Sequence, residues 1–474
     1  MSRALVILGL AAALMLLVTQ SRIIQSDEGH TLVAAWNMWN GRRMYDDFRY
    51  FFAPGSAYGV YWLWRSIGSP SFLPARVLSL LLLFSSIVAL YLLLARRGIR
   101  GFGLALALVG WVIASAQYPP LNHNTFSTYA AAWLLLLFVR AQERSRDGVD
   151  RPIDHLLVGV AAGAVTLFLQ TKGLMLLGMT GAFTLLAARG RRGLVAAAAV
   201  AVGAIVVLAP LLLRWHLSVL IREWFIVPLT GQYLAHSSGS AALAIACLGL
   251  AAAMAAVAIW LRDRTLIAVA AVQAALIASI LYNVERSHVA INTFPLFAFV
   301  PLAWHRYAQR RRPAGAPPAA EKLPAPVAMA IIVVTFAAAM ATPAGRRTFE
   351  GSTLYVDFVR RLPRNIFPQP RVAAAHAIYA GPFLPGFYYL LGKPNPFSVS
   401  EATVCNDAAC QRHLLAEVQS IRPEIAFLSY DMVRHFNYDP NNPVDAYLRD
   451  HYIKCPNADY EGLIVRAIDP SWCP

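Results

Sequence analysis

Two adjacent carboxylates, Asp27 and Glu28, stand in the stretch "IQSDEGHT", just after the apolar run "ALVILGLAAALMLLVTQ". An ionised carboxylate beside a hydroxyl can take its proton as that oxygen attacks, which makes Asp27 a candidate general base. Arg42, Arg43 and Arg49 follow in the same segment, among Gly and Pro turns. Guanidinium groups near a departing phosphate stabilise the charge that grows on it more than the charge already there. Acids and cations gathered against a membrane therefore suit a reaction in which a hydroxyl displaces a lipid phosphate from a sugar carbon. The plainer reading is that acids mark the water side of an interface. Asp46 and Asp47, after "GRRMY", read as turn formers, although one could hold a sugar hydroxyl.

The elements that must position these residues are membrane spans. Of 474 residues, 58% are hydrophobic and 14% charged, and the mean hydropathy is +0.51, too apolar for an ordinary soluble protein. Runs near the roughly 20 residues that cross hydrocarbon fall at about 4–21, 73–95, 101–117, 125–139, 156–170, 173–188, 194–213, 240–260, 265–282, 289–304 and 326–342. They predict an all-α polytopic membrane protein with about 11 transmembrane helices. The first run lacks a small-residue cleavage pattern and reads as an uncleaved span.

With the N-terminus cytoplasmic, the inner loops hold Arg3, "RRGIR" at 96, "RAQERSRDGVDR" at 140, "RGRR" at 189, "RDR" at 262 and "RYAQRRRPAGAPPAAEK" at 306. Nearly all short basic loops then share one side, as charge-directed orientation requires. That placement accounts for the net charge of +16 and leaves no reason to expect nucleic acid. The reading is a multi-pass inner (plasma) membrane protein. Residues 1–343 form the transmembrane domain, with a first outer loop at 22–72, and residues 344–474 form a small C-terminal α/β extracytoplasmic domain.

In that tail, "QRHLLAEVQSI" has helical spacing, and "EIAFLSY" and "GLIVRAI" read as strands. Cys405, Cys410, Cys455 and Cys473 fit an oxidising compartment. Pairing Cys405 with Cys410 and Cys455 with Cys473 is the simplest of three connectivities. A zinc site is the competing reading, but C-x4-C with C-x17-C lacks tight knuckles. Cys247, inside a span, reads as core.

Other polar residues sit at expected outer turns. "LFLQTKGLMLL" places Lys172 at a membrane face, where an ammonium is costly unless it snorkels or meets an anion. "YNVERSHVAIN" offers Glu285, Arg286 and His288, although the first two can simply pair and His288 can cap the next span. "YPPLNHN" in the second outer loop holds His123 and no carboxylate, so a divalent metal has no clear ligand set. "HTLVAAWNMWNG", with Trp36 and Trp39, reads as a short helix along the interface. "RWHLSVLIREWF" places Arg222 and Glu223 on an amphipathic helix bordering a lipid groove.

"SDEGHTLVAAWNMWNGRRMYDD" followed by "FFAPGSAYGVYWLWRSIG" resembles the first outer loop of the GT-C superfamily of membrane glycosyltransferases. The likeness is to bacterial relatives of the dolichyl-phosphate-mannose protein mannosyltransferases (glycosyltransferase family 39-like) and of the lipid A aminoarabinose transferase. The Thr-Lys-Gly stretch ending at 173, the Arg-x-His turn ending at 288 and "IYAGPFLPGFYYLLGKPNPF" resemble further segments of these proteins. The resemblance implies a polyprenyl-phosphate-linked sugar donor, a hydroxyl acceptor on a lipid, glycan or protein at the extracytoplasmic face, and inversion at the sugar carbon. It implies Asp27 as catalytic, Glu28 as the second acid, and Arg42, Arg43, Lys172, Arg286 and His288 as donor-phosphate ligands. Several relatives carry another acid in the second outer loop, which is absent here. A transporter or lipid flippase is the rival reading; it calls for charges near mid-membrane, whereas these cluster at the outer ends of spans.

Overall fold

The computed structural model describes residues 27–115, 121–188, 190–230, 241–281, 284, 286–311, 370–405, 407–430, 433, 438–456 and 463–473. The runs expected at 4–21 and 326–342, and Glu285, lie outside them. In chain order the helices are α1 (Asp27–Trp39), α2 (Gly55–Ile67), α3 (Phe72–Ala95), α4 (Gly101–Ser115), α5 (His123–Arg146), α6 (Pro152–Phe168), α7 (Gln170–Ala188) and α8 (Gly190–Arg214). Next come α9 (Leu217–Ile221), a π-helical turn (Arg222–Ile226), α10 (Val227–Thr230), α11 (Ala241–Trp260), α12 (Arg264–Ala278), α13 (Arg286–Asn292) and α14 (Pro295–Arg311). The tail adds α15 (Pro370–Ala374), β1 (Ile378–Pro382), α16 (Gly386–Leu390), α17 (Ala408–Ile421), β2 (Ile425–Ser429), α18 (Pro443–His451), β3 (Ile453–Lys454) and β4 (Leu463–Ala467).

The chain divides into two compact units, one built from residues 76–214 and 241–311 and the other from 27–75, 215–230 and 370–473. The first is a helical bundle. Each expected span among the described residues is helical, and Pro74–Ala95, Gly190–Arg214 and Ala241–Trp260 are long and apolar enough to cross a membrane. The run at 289–304 is divided between α13 and α14, with the break just before Pro295. Proline suits the first helical turn and breaks an interior one.

In a bilayer, helices associate through close packing of small residues rather than through burial from water. A Cβ on Gly159 of α6 would stand 1.9 Å from the Val200 carbonyl oxygen, and one on Gly203 of α8 2.1 Å from that of Leu156. Only glycine allows the α6 and α8 backbones this approach. Elsewhere in the bundle, Trp111 packs against Tyr129 and Phe294 and donates its indole N–H to Ser86 Oγ at 2.9 Å.

Residues of four basic loops meet in this unit. Arg97 pairs with Glu143 and donates to Thr265 Oγ1 at 2.6 Å, while Arg306 Nε lies 3.2 Å from Asp263. Asp263 also caps α12 by accepting from the Thr265 and Leu266 amides. Their convergence agrees with a shared side for these loops.

The second unit is built on a four-stranded sheet in the order β1-β2-β4-β3. β1 and β2 are parallel, with Ile378 opposite Ile425, and β4 pairs antiparallel with β2 and β3. β1 escapes sequence patterning because all five of its residues are buried. A strand covered on both faces loses the alternation that reveals half-exposed ones. Both disulfides form as the simplest pairing, Cys405 with Cys410 and Cys455 with Cys473, and Cys247 is buried in the bundle.

Helix α1 departs from expectation. It does not lie along a surface: His30, Thr31, Leu32, Val33, Ala34, Ala35 and Asn37 are all buried, and Val33 shares a core with Ile378, Phe387 and Phe427 of the tail. The packing unit that contains the tail thus takes in the first loop.

Asp445, in the first turn of α18, is fully buried. Burial pushes its carboxyl up to about 6, against hydrogen bonds from Tyr438 and Asn442 that favour the ionised form. Between the usual carboxylate pKa near 4 and 6, the folded state holds more protons than the unfolded state, so this group's stabilising contribution fades as pH rises through that window. Asp445→Asn removes the dependence. The thermal midpoint of the variant relative to wild type, in detergent, is expected to climb from pH 4 to 6.5 and then level, by an amount equivalent to about 3 kcal/mol.

Candidate active site

The candidate catalytic acids begin α1. Asp27 is its first residue, and Glu28 is completely buried. Gly29 explains how the helix reaches this position. A Cβ there would come within 2.7 Å of the Gly386 amide nitrogen and 3.2 Å of Pro385 Cγ, so the acid-bearing turn lies backbone to backbone against the start of α16. One residue on, His30 Nδ1 lies 3.0 Å from Glu401 Oε1, with both side chains buried. The ring sits edge-on to Phe51, Phe52 and Phe383. Trp36 adds a third tie through its indole N–H, which donates to the Lys393 carbonyl at 2.8 Å.

The arginines that follow differ in what they hold. Arg42 directs its guanidinium at backbone carbonyls, those of Asn395, Phe397 and Asp47, and burial lowers its pKa. Arg43 is exposed and lies 3.8 Å from Asp46 and 3.5 Å from Asp47. Asp47 accepts from the Arg43 amide at 2.7 Å, an interaction that heads the causes holding its carboxyl below the usual range. Asp47 therefore closes a turn. Arg49 donates its backbone N–H to the Ser398 carbonyl at 2.8 Å, reaches Cys410 Sγ through Nη1, and lies 3.5 Å from Glu223 through Nε. Glu223 is buried within the π-helical turn rather than standing on an amphipathic surface.

A second set of candidates meets inside the helical bundle. Lys172, in the first turn of α7, is completely buried, so it does not snorkel. Its ammonium donates to Thr128 Oγ1 at 2.6 Å and to the Asn124 carbonyl at 3.1 Å, and among the described residues no carboxylate pairs with it. Gly173 permits the tight α6–α7 joint, because a Cβ there would lie 2.2 Å from the Thr166 backbone. The Asn124 side-chain nitrogen lies 3.1 Å from His123 Nε2 and 3.3 Å from His288 Nε2, and Asn292 fixes α13 by donating to the His288 carbonyl at 2.8 Å. Arg286 is the first residue of that helix.

Asn124 thus brings together Lys172 and His288, which the sequence offered separately. Asn124 and Thr128 escaped notice as neutral residues, although Asn122 capping α5 through the Asn124 amide is a readable start signal. Glu401 had no local signal. Among the described residues no three His, Cys, Asp or Glu side chains group to hold a metal ion. Two imidazoles and an amide beside a buried ammonium make a poor donor set for a divalent cation.

No family model and no curated protein sequence matches this chain. Among solved structures it is similar to ArnT from Cupriavidus metallidurans in the apo state, at a TM-score of 0.57 and 14% identity, over 100% of this chain and 99% of that one. It is also similar to the same protein bound to undecaprenyl phosphate, at a TM-score of 0.52, 14% identity and the same coverage. Similarity to the arabinofuranosyltransferase AftD from Mycobacteria reaches a TM-score of 0.51 at 16% identity, over 97% of this chain and 40% of that one. These likenesses establish the fold alone: the chain shares the architecture of these solved structures.

Gly29→Ala tests the close approach of α1 to α16. The added methyl group faces backbone, so the variant is expected to lose about 1–3 kcal/mol of stability, read as a lower thermal midpoint of the purified chain. An unchanged midpoint would show that the contact is loose.

Proposed function

We propose that this protein is an integral membrane glycosyltransferase that moves one sugar from a polyprenyl phosphate to a hydroxyl of a lipid, glycan or protein acceptor at the extracytoplasmic face of the inner membrane. The observation that carries this reading is the buried Lys172 ammonium, held among the described residues by neutral acceptors alone. A buried cation without a counter-charge is destabilising, and an anion supplied by a ligand removes that penalty. A lipid phosphate is the anion available at a membrane face, and a solved structure of similar fold holds undecaprenyl phosphate.

In the reaction, the acceptor oxygen bonds to the anomeric carbon as the bond from that carbon to the phosphate oxygen breaks. The phosphate leaves with the electron pair, and the acceptor's proton passes to the Asp27 carboxylate. Attack from the face opposite the phosphate inverts the carbon. Glu28 supports the base. Lys172, His288 and Arg286 stabilise the phosphate as its charge grows, with Arg43 as the loop's exposed cation, while Arg42 acts by fixing the loop.

Asp27→Asn and Lys172→Met separate these roles. With labelled undecaprenyl-phosphate sugars and envelope acceptors, Asp27→Asn is expected to lower kcat by about 10²–10⁴-fold, the usual scale for a lost general base. Lys172→Met is expected to raise the donor KM at least about tenfold while raising the thermal midpoint without donor, because it deletes a buried charge with which no carboxylate among the described residues pairs. Full transfer by Asp27→Asn at wild-type abundance would overturn the assigned base, and an unchanged donor KM in Lys172→Met would overturn the phosphate site.

A further inference from the structure

We infer that Trp215 and Glu223, arranged around Tyr45, form a subsite for the hydroxyl groups of the sugar being transferred. Tyr45 has a left-handed backbone, φ +66°, which a bulky side chain rarely adopts and which concentrates at functional positions. Its hydroxyl is fully engaged, donating to the Phe52 carbonyl at 2.7 Å and accepting from Trp224 Nε1 at 2.9 Å. Tyr45 is therefore a scaffold. The Trp215 ring meets its edge at a centroid distance of 5.0 Å, and Tyr58 lies against the same indole at 6.2 Å. Glu223 immediately precedes Trp224 in the π-helical turn, an irregularity that also favours functional sites.

Among the described residues, three polar atoms at this corner are buried without a hydrogen-bond partner, the donors Trp215 Nε1 and Arg49 Nε, the latter 3.5 Å from Glu223 Oε1, and the acceptor Glu223 Oε2. The other Glu223 oxygen is taken by Arg222, at 2.9 and 2.7 Å, with Arg49 nearby. A buried donor and a buried acceptor left open are both destabilising, and a ligand matches them by presenting a lone pair to one and an O–H to the other. Sugar hydroxyls do both. The free Glu223 oxygen repels a phosphate, so this subsite favours a neutral hydroxyl over an anion, and the aromatic rings of Trp215 and Tyr58 suit the apolar face of a sugar ring.

The inference rests on the transferase reading, and the two can be tested apart. Trp215→Phe keeps a ring and deletes the N–H; Glu223→Gln keeps the shape and changes the acceptor. Binding to the full chain in lipid nanodiscs is measured with undecaprenyl phosphate alone and with undecaprenyl phosphates carrying different hexoses and pentoses. Wild type is expected to prefer at least one glycosylated carrier over the bare one. Both variants should bind the bare carrier as wild type does and lose about tenfold of that preference. Trp215→Phe, relieved of an open donor, should unfold at no lower temperature.

Failure of wild type to bind any of these carriers would end the transferase reading. Binding of the bare carrier with no preference for a sugar would overturn the subsite alone. So would a preference retained in both variants, or an equal loss for bare and glycosylated carriers.

Discussion

A single ammonium governs the interior of this bundle. Lys172 lies in the first turn of its helix with a hydroxyl and a carbonyl as partners among the described residues, and the fold supplies both to a side chain with no exposed surface. Thr128 and Asn124 come from one turn of α5, and Asn122 starts that helix by capping it. Gly173, beside the lysine, lets α6 and α7 meet closely enough for the side chain to face α5. The Thr-Lys-Gly stretch thus describes a cation and the joint that aims it.

The acid-bearing loop obeys a different constraint. It is fastened residue by residue to the tail. Gly29 permits backbone contact, His30 meets Glu401, Trp36 and Arg42 bind carbonyls at 393–397, and Arg49 binds Ser398. Charged side chains that look ready for a ligand in the sequence are here divided between architecture and chemistry. Arg42, whose guanidinium faces carbonyls from two segments, stands on the architectural side.

Much of this organisation is legible in the sequence. The long apolar runs among the described residues are helices, as length and hydropathy require of a chain in a bilayer. Two strands of the tail were readable, and so was the cysteine pairing. The failures share a cause. Apolar residues at helical spacing describe a helix on an interface and a helix in a core equally well, and α1 proved to be the second because its polar residues His30, Thr31 and Asn37 are buried too. β1 hid because neither face meets solvent. Lys172 and His288 stood out as charged or titratable, whereas the asparagine that joins them is neutral and gains its role only from tertiary structure.

The bond from the Trp36 indole to the Lys393 carbonyl spans 357 residues. At ordinary synthesis rates, roughly 20–70 seconds separate the emergence of these two partners from the ribosome. Throughout that interval the segment bearing Asp27 has lost its place in the ribosome and not yet met the strands that will enclose it. The packing of the acid-bearing helix therefore waits on residues made long after it, and a chain truncated before residue 378 would carry every bundle helix described here without the core that Val33 shares with Ile378, Phe387 and Phe427.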